Sequence, residues 1–258
     1  MIRLDGVTKT FGTGASALED LSLSIDDGEF VFLIGPSGSG KTTFLRLLIR
    51  EMLPTSGSIY LSDWDIGKLP ASKVPNLRKK IGVVFQDLKL LNDRTILENV
   101  LLPLEMVNMG HEEAVKKVED ILEQVGILEH RDKFPIQLSG GELQRAAIAR
   151  ALVFEPEVIL ADEPTGNLDM TTSWEIVKLL QEINKNGTTI IMATHNNDIV
   201  SSLLKRVIGL EKGKLVKDNK KKPEKKELPE EEAPAKKSKD KPKEDEKTKD
   251  IKETDEVA

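Results

Sequence analysis

The sequence predicts an α/β fold with a helical insert, followed by a charged tail that we expect to be disordered. Strand-like and helix-like patterns alternate through the first 218 residues, as they do in domains built around a mostly parallel sheet. Residues 88–137 contain helix patterns and no convincing strand, which indicates the insert. The composition changes sharply near residue 218, which indicates that the folded part ends there.

The expected strands and helices follow the hydrophobic pattern along the chain. Apolar and polar residues alternate at 2–11 and at 18–25, which is typical of half-buried strands. The continuous apolar run at 30–34 predicts a central parallel strand, and residues 41–52 predict a helix that ends before Pro54. The remaining strands are predicted at 58–61, as a short edge strand, and at 81–85, 158–161, 188–193 and 207–210.

Two amphipathic segments mark the helical part. Residues 112–125 carry apolar side chains at positions 114, 115, 118, 121, 122 and 125, which places one apolar stripe on a helix. A second helix is predicted at 141–153. We interpret His111 and His130 as solvent-facing, Trp64 as a partly exposed turn residue and Trp174 as helix packing.

The composition excludes several classes of function. The 258 residues contain no Cys, so the chain has no disulfide framework, no thiolate metal site and no cysteine nucleophile. The net charge of −6 does not suggest a nucleic-acid partner. We see no secretory leader and no apolar run of about 18 residues that would span a membrane, so any membrane role would require a second chain.

The tail, residues 218–258, is rich in charges of both signs. Positions 219–258 hold 13 Lys and 13 acidic residues and no aromatic residue. Such a segment buries too little apolar surface to offset the entropy of ordering. It would serve as a tether or an electrostatic arm, or simply as a solvated tail, and the mixed charges slightly favour the last interpretation.

A glycine-rich phosphate loop follows the predicted central strand. Its sequence, Gly-Pro-Ser-Gly-Ser-Gly-Lys-Thr, lets successive backbone N–H groups converge on a phosphate at the start of a helix. Lys41 would neutralise the β- and γ-phosphates, and the Thr42 hydroxyl would bind Mg²⁺. The alternative, a glycine-rich turn with a surface lysine, fits the strand–loop–helix context poorly. The expected nucleotide-binding residues are Gly35, Pro36, Ser37, Gly38, Ser39, Gly40, Lys41, Thr42 and Thr43.

Two further segments narrow the chemistry beyond nucleotide binding. The strand at 158–161 ends in Asp162, which would hold Mg²⁺, and Glu163, which would polarise an attacking water. Residues 138–142, Leu-Ser-Gly-Gly-Glu, open the helix predicted at 141–153 and form a second anion-binding helix end. One nucleotide does not need two such ends, but two copies of the chain could sandwich one ATP between them.

The segment 138–142 is the signature of the ATP-binding cassette (ABC) family, which the sequence resembles from residue 1 to about residue 216. The resemblance implies an ABC ATPase domain over residues 1–217, with an antiparallel β subdomain and a helical subdomain at about 88–150. It also implies ATP and Mg²⁺ as ligands, and a homodimer that forms on ATP binding. The roles carried over are adenine stacking by Phe11, γ-phosphate sensing and Mg²⁺ contact by Gln86, phosphate contact by His195, and nucleotide contacts across the dimer by Ser139, Gly140, Gly141 and Asp169.

The stretch after Gln86 resembles the cell-division branch of the family. The shared features are the pair Gln86-Asp87, the step Asp93-Arg94-Thr95 and the segment 77–82. That resemblance implies an FtsX-like membrane partner at the cytoplasmic face of the plasma membrane, bound through the region after Gln86, and a role in activating cell-wall hydrolases. Two alternatives remain open: the ATPase of a lipoprotein-release or macrolide-type exporter, and a soluble ABC protein that acts on nucleic acid or ribosomes.

Overall fold

The computed structural model of the chain describes residues 1–12, 14–107 and 109–220. The tail predicted from residue 218 therefore lies outside the described residues from position 221 onward. The strands are β1 (Ile2–Thr10), β2 (Ser16–Ile25), β3 (Phe30–Ile34), β4 (Ser56–Leu61), β5 (Trp64–Asp65), β6 (Ile81–Val84), β7 (Val158–Asp162), β8 (Thr189–Ala193), β9 (Arg206–Glu211) and β10 (Lys214–Asp218).

The helices account for the predicted insert and for the connections of the central sheet. They are α1 (Lys41–Leu48), α2 (Val74–Lys79), α3 (Ile96–Glu105), α4 (His111–Gln124), α5 (Gly140–Leu152), α6 (Met170–Lys185) and α7 (Asn197–Ser202). Short 3₁₀ turns lie at Ala71–Lys73, Leu128–His130 and Pro135–Gln137. None of the helices within the described residues is both long and apolar enough to span a bilayer.

A four-stranded antiparallel sheet has the strand order β2-β1-β4-β5. Ile2 and Leu4 of β1 are buried two residues apart, as the predicted alternation requires, and the pairing with β2 shifts register before the buried Val7. The prediction of an edge strand at 58–61 was wrong. Strand β4 begins at Ser56 and is covered by β5, which is only two residues long and therefore leaves no periodic signal. Trp64 lies in β5 rather than in a turn.

The central sheet has the order β10-β9-β3-β8-β7-β6, and every neighbouring pair except β9 with β10 is parallel. Both faces of β3 are buried, with Phe30 and Phe32 in the core shared with the helical part and Val31 and Leu33 in the core shared with the antiparallel sheet. Two-sided burial explains the unbroken apolar run. The carboxyl ends of β3, β7 and β8 meet at one edge, which is where ligands bind in open α/β sheets.

Helix α1 is shorter than the pattern predicts. It was expected to reach residue 52, but it ends at Leu48, and the backbone turns at Arg50, where φ is 51°. A left-handed residue stops an α-helix, and here it is an arginine rather than the glycine that usually signals such a turn. The sequence therefore contains no glycine that would indicate this turn, and the predicted end of α1 was wrong by four residues.

Candidate nucleotide site

The phosphate loop, residues 35–42, joins β3 to α1 at the carboxyl edge of the central sheet. Gly35 has φ 152°, and a Cβ there would collide with the Leu210 carbonyl oxygen. Gly40 has φ 107°, and a Cβ would lie 2.5 Å from the Ala17 carbonyl oxygen. Only glycine fits at these two positions, so the curled path of the loop depends on them.

Two polar groups of the loop fit an anionic ligand. The Lys41 ammonium donates hydrogen bonds to the carbonyl oxygens of Gly35, at 2.8 Å, and Pro36, at 3.3 Å, so it arches over the loop rather than pointing into solvent. The Ser39 hydroxyl is buried and has no hydrogen-bond partner within the described part of the chain. A buried unpaired hydroxyl is costly, and a phosphate oxygen would satisfy it.

A cavity of about 690 Å³ opens over the loop. A pocket of this size suits a nucleotide. The cavity brings together most of the residues predicted from the sequence. Its lining consists of Ala17, residues 35–43, Gln86, Asp162, Glu163 and His195.

Asp162 ends β7 beside the loop and accepts a hydrogen bond from the Thr42 hydroxyl at 3.1 Å. Burial raises the pKa of Asp162 above its usual value, and the Thr42 hydrogen bond opposes that rise. A hydroxyl and a carboxylate are the hard oxygen ligands that Mg²⁺ prefers. Among the described residues, no group of three His, Cys, Asp or Glu side chains could hold a metal alone. Thr42 and Asp162 would supply two of the oxygen ligands of Mg²⁺, which commonly takes the others from substrate phosphates and water.

Glu163 and His195 form a pair at the mouth of the cavity. Glu163 Oε2 lies 2.9 Å from His195 Nδ1, and the Glu163 backbone N–H donates to the Ala193 carbonyl oxygen at 2.9 Å. Glu163 also has φ 49°, an uncommon backbone conformation for a glutamate. The strained backbone and the bond to β8 direct the carboxylate into the cavity instead of along the strand.

The second anion-binding helix end lies elsewhere in the chain. Ser139 caps α5, and Asp169 caps α6 by accepting a hydrogen bond from the Thr172 N–H at 3.0 Å. Neither residue lines the cavity over the phosphate loop, and the same is true of Gly140 and Gly141. The structure therefore separates, within one chain, the two groups of residues that the sequence assigns to one nucleotide.

Phe11 is also outside the cavity lining, although Ala17 of the same β1–β2 hairpin contributes to it. The Phe11 ring is 42% exposed, with the Lys9 ammonium 5.6 Å from its centre. Phe11 is therefore exposed rather than packed in the hydrophobic core.

The prediction that His130 faces solvent was wrong. Its side chain is only 15% exposed, and Nε2 lies 2.8 Å from Glu142 Oε1 in the signature segment, residues 138–142. His130 and Glu142 belong to different helical elements, so the periodic pattern within either element does not reveal the contact between them. His111 is exposed, as expected.

Comparisons with known proteins agree with the fold. The ABC transporter family model matches residues 18–166. The cell-division ATP-binding protein FtsE of Mycobacterium tuberculosis is 50% identical over 222 residues, covering 86% of this chain and 96% of that protein. FtsE of Bacillus subtilis is 47% identical over 218 residues, covering 84% and 96%.

A solved structure supplies a further comparison. It is a dimeric ATP-binding cassette in a post-hydrolysis state, bound to ADP and Pi. The alignment has a TM-score of 0.77 and 37% identity, and it covers 84% of this chain and 97% of that one.

Proposed function

The chain belongs to the ABC transporter family of ATPases, and we propose that it is the ATP-hydrolysing subunit of a membrane complex, in which two copies close around ATP. The proposed dimer rests on one observation. The phosphate loop and the Ser139 end of α5 are both built to bind anions, yet only the loop lines the cavity. A head-to-tail pair of chains would bring the two ends together at each nucleotide, and the related cassette with ADP and Pi is dimeric.

In this proposal, the backbone of the phosphate loop and Lys41 hold the phosphates, and the Ser39 hydroxyl gains the partner it lacks. Thr42, Asp162 and Gln86 hold Mg²⁺, which would supply charge neutralisation for the phosphoryl group that is transferred. Phe11 presents its exposed ring to the adenine. Ser139, Gly140, Gly141 and Asp169 contact the nucleotide of the second copy.

Glu163 is the proposed general base. Its carboxylate faces the cavity and accepts a proton from the attacking water, while His195 Nδ1 holds Oε2 and keeps the carboxylate oriented. His195 is itself mostly exposed at the mouth of the cavity, where it would contact the terminal phosphate. Hydrolysis removes the ligand that bridges the two copies, so the dimer opens.

We further propose that a membrane protein binds the surface after Gln86, as the resemblance to the cell-division branch implies. A groove of about 1080 Å³ lies there, lined by residues 86–92, Pro135, Ile136, Leu143 and Asn167. Ile136, which is 90% exposed, places an apolar side chain in this groove. Gln86 lines both this groove and the nucleotide cavity, so it is placed to report nucleotide state to a partner.

The names of the relatives point to cell division. We therefore propose an FtsX-like partner, a location at the cytoplasmic face of the plasma membrane, and an output that activates cell-wall hydrolases. An exporter subunit of the lipoprotein-release or macrolide type is the alternative, and ATP turnover stimulated by lipid or drug would favour it.

Affinity capture from detergent-solubilised membranes tests the partner. We expect the tagged chain to recover a four-span membrane protein with a large extracytoplasmic domain, and Ile136→Asp to lose it. Leu204→Asp is the matched control, because Leu204 is 92% exposed and lies outside the groove. Recovery of only ribosomes or nucleic-acid proteins, or equal recovery by Ile136→Asp, would contradict the proposal.

A further inference from the structure

The signature serine is held by a carboxylate of its own helix. The Ser139 backbone N–H donates to Glu142 Oε2 at 2.7 Å, and the Ser139 hydroxyl donates to the same oxygen at 2.7 Å. The Glu142 N–H in turn donates to the Ser139 hydroxyl oxygen at 3.4 Å. This reciprocal arrangement is a capping box, and it fixes the direction of the first turn of α5.

The other oxygen of the Glu142 carboxylate contacts a side chain from a different element. His130, in the 3₁₀ turn Leu128–His130, places Nε2 2.8 Å from Glu142 Oε1. A second carboxylate, that of Glu129, lies 3.6 Å from the same nitrogen but is mostly exposed. Because a carboxylate only accepts, Nε2 must carry the hydrogen of the bond to Glu142.

The other ring nitrogen of His130 supplies no second anchor among the described residues. His130 Nδ1 is buried and lacks a hydrogen-bond partner there. The orientation of the imidazole therefore depends on the bond to Glu142, and the orientation of Glu142 depends on Ser139 and His130 together. Hydrogen bonds from Ser139, and to a smaller extent the neighbouring imidazole, lower the pKa of Glu142, which keeps it an acceptor at neutral pH.

We propose that His130 is a positioning residue for the shared nucleotide site: by holding Glu142 Oε1, it fixes the capping box that aims Ser139 at the nucleotide of the second copy. The inference rests on the proposed dimer. When the Ser139 hydroxyl turns from Glu142 toward an anion, the carboxylate keeps the Ser139 N–H and the His130 Nε2–H. The first turn of α5 thus stays in place while the hydroxyl changes partner.

The test compares His130→Phe, which keeps a ring but removes the donor, with His130→Gln, whose amide N–H restores a donor near the Nε2 position. His111→Phe is the control, since His111 is an exposed histidine at the start of α4. All three are made in a Glu163→Gln background, and ATP-dependent pairing is followed by sedimentation. Hydrogen exchange at the Ser139 amide is measured in the same proteins without nucleotide.

We expect His130→Phe to weaken pairing and to accelerate Ser139 amide exchange by about tenfold each, the size expected for one hydrogen bond to a charged group. His130→Gln should recover most of both losses, and His111→Phe should match the background protein. A general packing role would not be rescued by glutamine, so equal losses in His130→Phe and His130→Gln would overturn the inference. Unchanged pairing and exchange in His130→Phe would overturn it as well.

The two proposals fail in different ways. If Glu163→Gln alone does not pair in the presence of ATP, the proposed dimer is wrong. Amide exchange at Ser139 still decides whether His130 holds the cap, because that readout needs neither nucleotide nor a second copy.

Discussion

Two adjacent carboxylates, Asp162 and Glu163, have different surroundings at the carboxyl end of β7. Asp162 is partly buried beside Thr42, whereas Glu163 turns on a left-handed backbone toward His195. This difference supports the roles that we propose, which are cation binding by Asp162 and proton transfer by Glu163. Neighbouring carboxylates that work in different roles are held apart in this way at many catalytic sites.

Replacing Glu163 should separate binding from hydrolysis. Glu163→Gln keeps the size and the contact with His195 but removes the base, so we expect ATP turnover to fall by at least about 100-fold. The ATP-bound dimer should accumulate, as seen by sedimentation, while phosphate release reports the turnover. Glu182→Gln, an exposed carboxylate on α6, is the control. Normal turnover in Glu163→Gln would remove Glu163 from the catalytic role.

Asp162 should lower stability in the absence of ligand. Burial raises its folded-state pKa above the usual 3.8, so the folded state holds this proton more tightly than the unfolded chain does. Stability therefore falls as pH rises through this range, and the full cost is present at neutral pH.

We expect Asp162→Asn to stabilise the nucleotide-free protein at pH 7 by less than about 1 kcal/mol, because partial exposure to solvent screens the charge. The gain should disappear below about pH 3.8, where the wild-type carboxyl is protonated in both the folded and the unfolded state. Asp162→Asn should also lose the increase in thermal stability that Mg²⁺ and ATP give to the wild-type protein. Thermal unfolding across pH, with and without the ligands, measures both effects. A loss of stability at pH 7 would contradict this assignment.

At the scale of elements, Asn99 shapes the segment that follows Gln86. Its side chain is fully buried at the start of α3, where Oδ1 accepts from the Leu91 N–H at 2.7 Å. Its Nδ2 group donates to the carbonyl oxygens of Leu91, Arg94 and Thr95. One amide thus closes the loop that would face the membrane partner.

Asn99→Ala leaves these backbone groups unpaired, and we expect it to cost about 2–3 kcal/mol in urea unfolding. Exchange at the Leu91 amide should accelerate, and capture of the membrane partner should weaken. Asn92→Ala, on the exposed part of the same loop, should change stability by less than about 0.5 kcal/mol. Equal stability of the two variants would show that the loop does not depend on Asn99.

The sequence predicts elements well where the signal is local. The segments that form β3 and β7 are apolar because both of their faces are buried. In the phosphate loop, Gly35 and Gly40 lie where a Cβ would collide with the backbone. Other features depend on contacts between distant segments. The two-residue β5 has no period to detect, and the left-handed Arg50 carries no glycine signal.

The same limit applies to the site. Residues of the phosphate loop, Asp162 and Glu163 could be placed from motifs, and the cavity brings them together with Gln86 and His195. His130 could not be placed from a motif, because its partner Glu142 belongs to another element and only the fold brings the two side chains together. Motif reading finds groups that touch the ligand, and it misses the side chains that hold those groups.

At the scale of the molecule, Arg206 ties the two sheets to the end of the described chain. Its guanidinium is only 7% exposed and bonds Glu29 at 2.7 Å, Asp218 at 2.8 Å and the Ser24 carbonyl oxygen at 2.8 Å. Ser24 belongs to β2 of the antiparallel sheet, and Arg206 and Asp218 belong to the central sheet. Strand β10 is therefore anchored up to residue 218.

Arg206→Met should remove the hydrogen bonds from a buried guanidinium to two partly exposed carboxylates and cost about 1–3 kcal/mol. The hydrogen bond from Arg206 lowers the pKa of Asp218, so this contribution is present above the usual value of 3.8 and is lost as pH falls through the lower folded-state value. Urea unfolding between pH 7 and pH 3 measures it, with the exposed Lys217→Met as control. A difference from wild type that stays constant across this range would contradict the assignment.

We propose that a second copy completes each nucleotide site, and mixing two inactive variants tests this dimer directly. Lys41→Ala disables the phosphate loop, and Ser139→Arg blocks the signature end of α5, so each variant alone should hydrolyse almost no ATP. A mixed head-to-tail dimer contains one site with both halves intact. Random pairing should therefore restore roughly one quarter of wild-type turnover, since half of the dimers are mixed and each has one of two sites. A mixture as inactive as its components would contradict the shared site and would place each site within one chain.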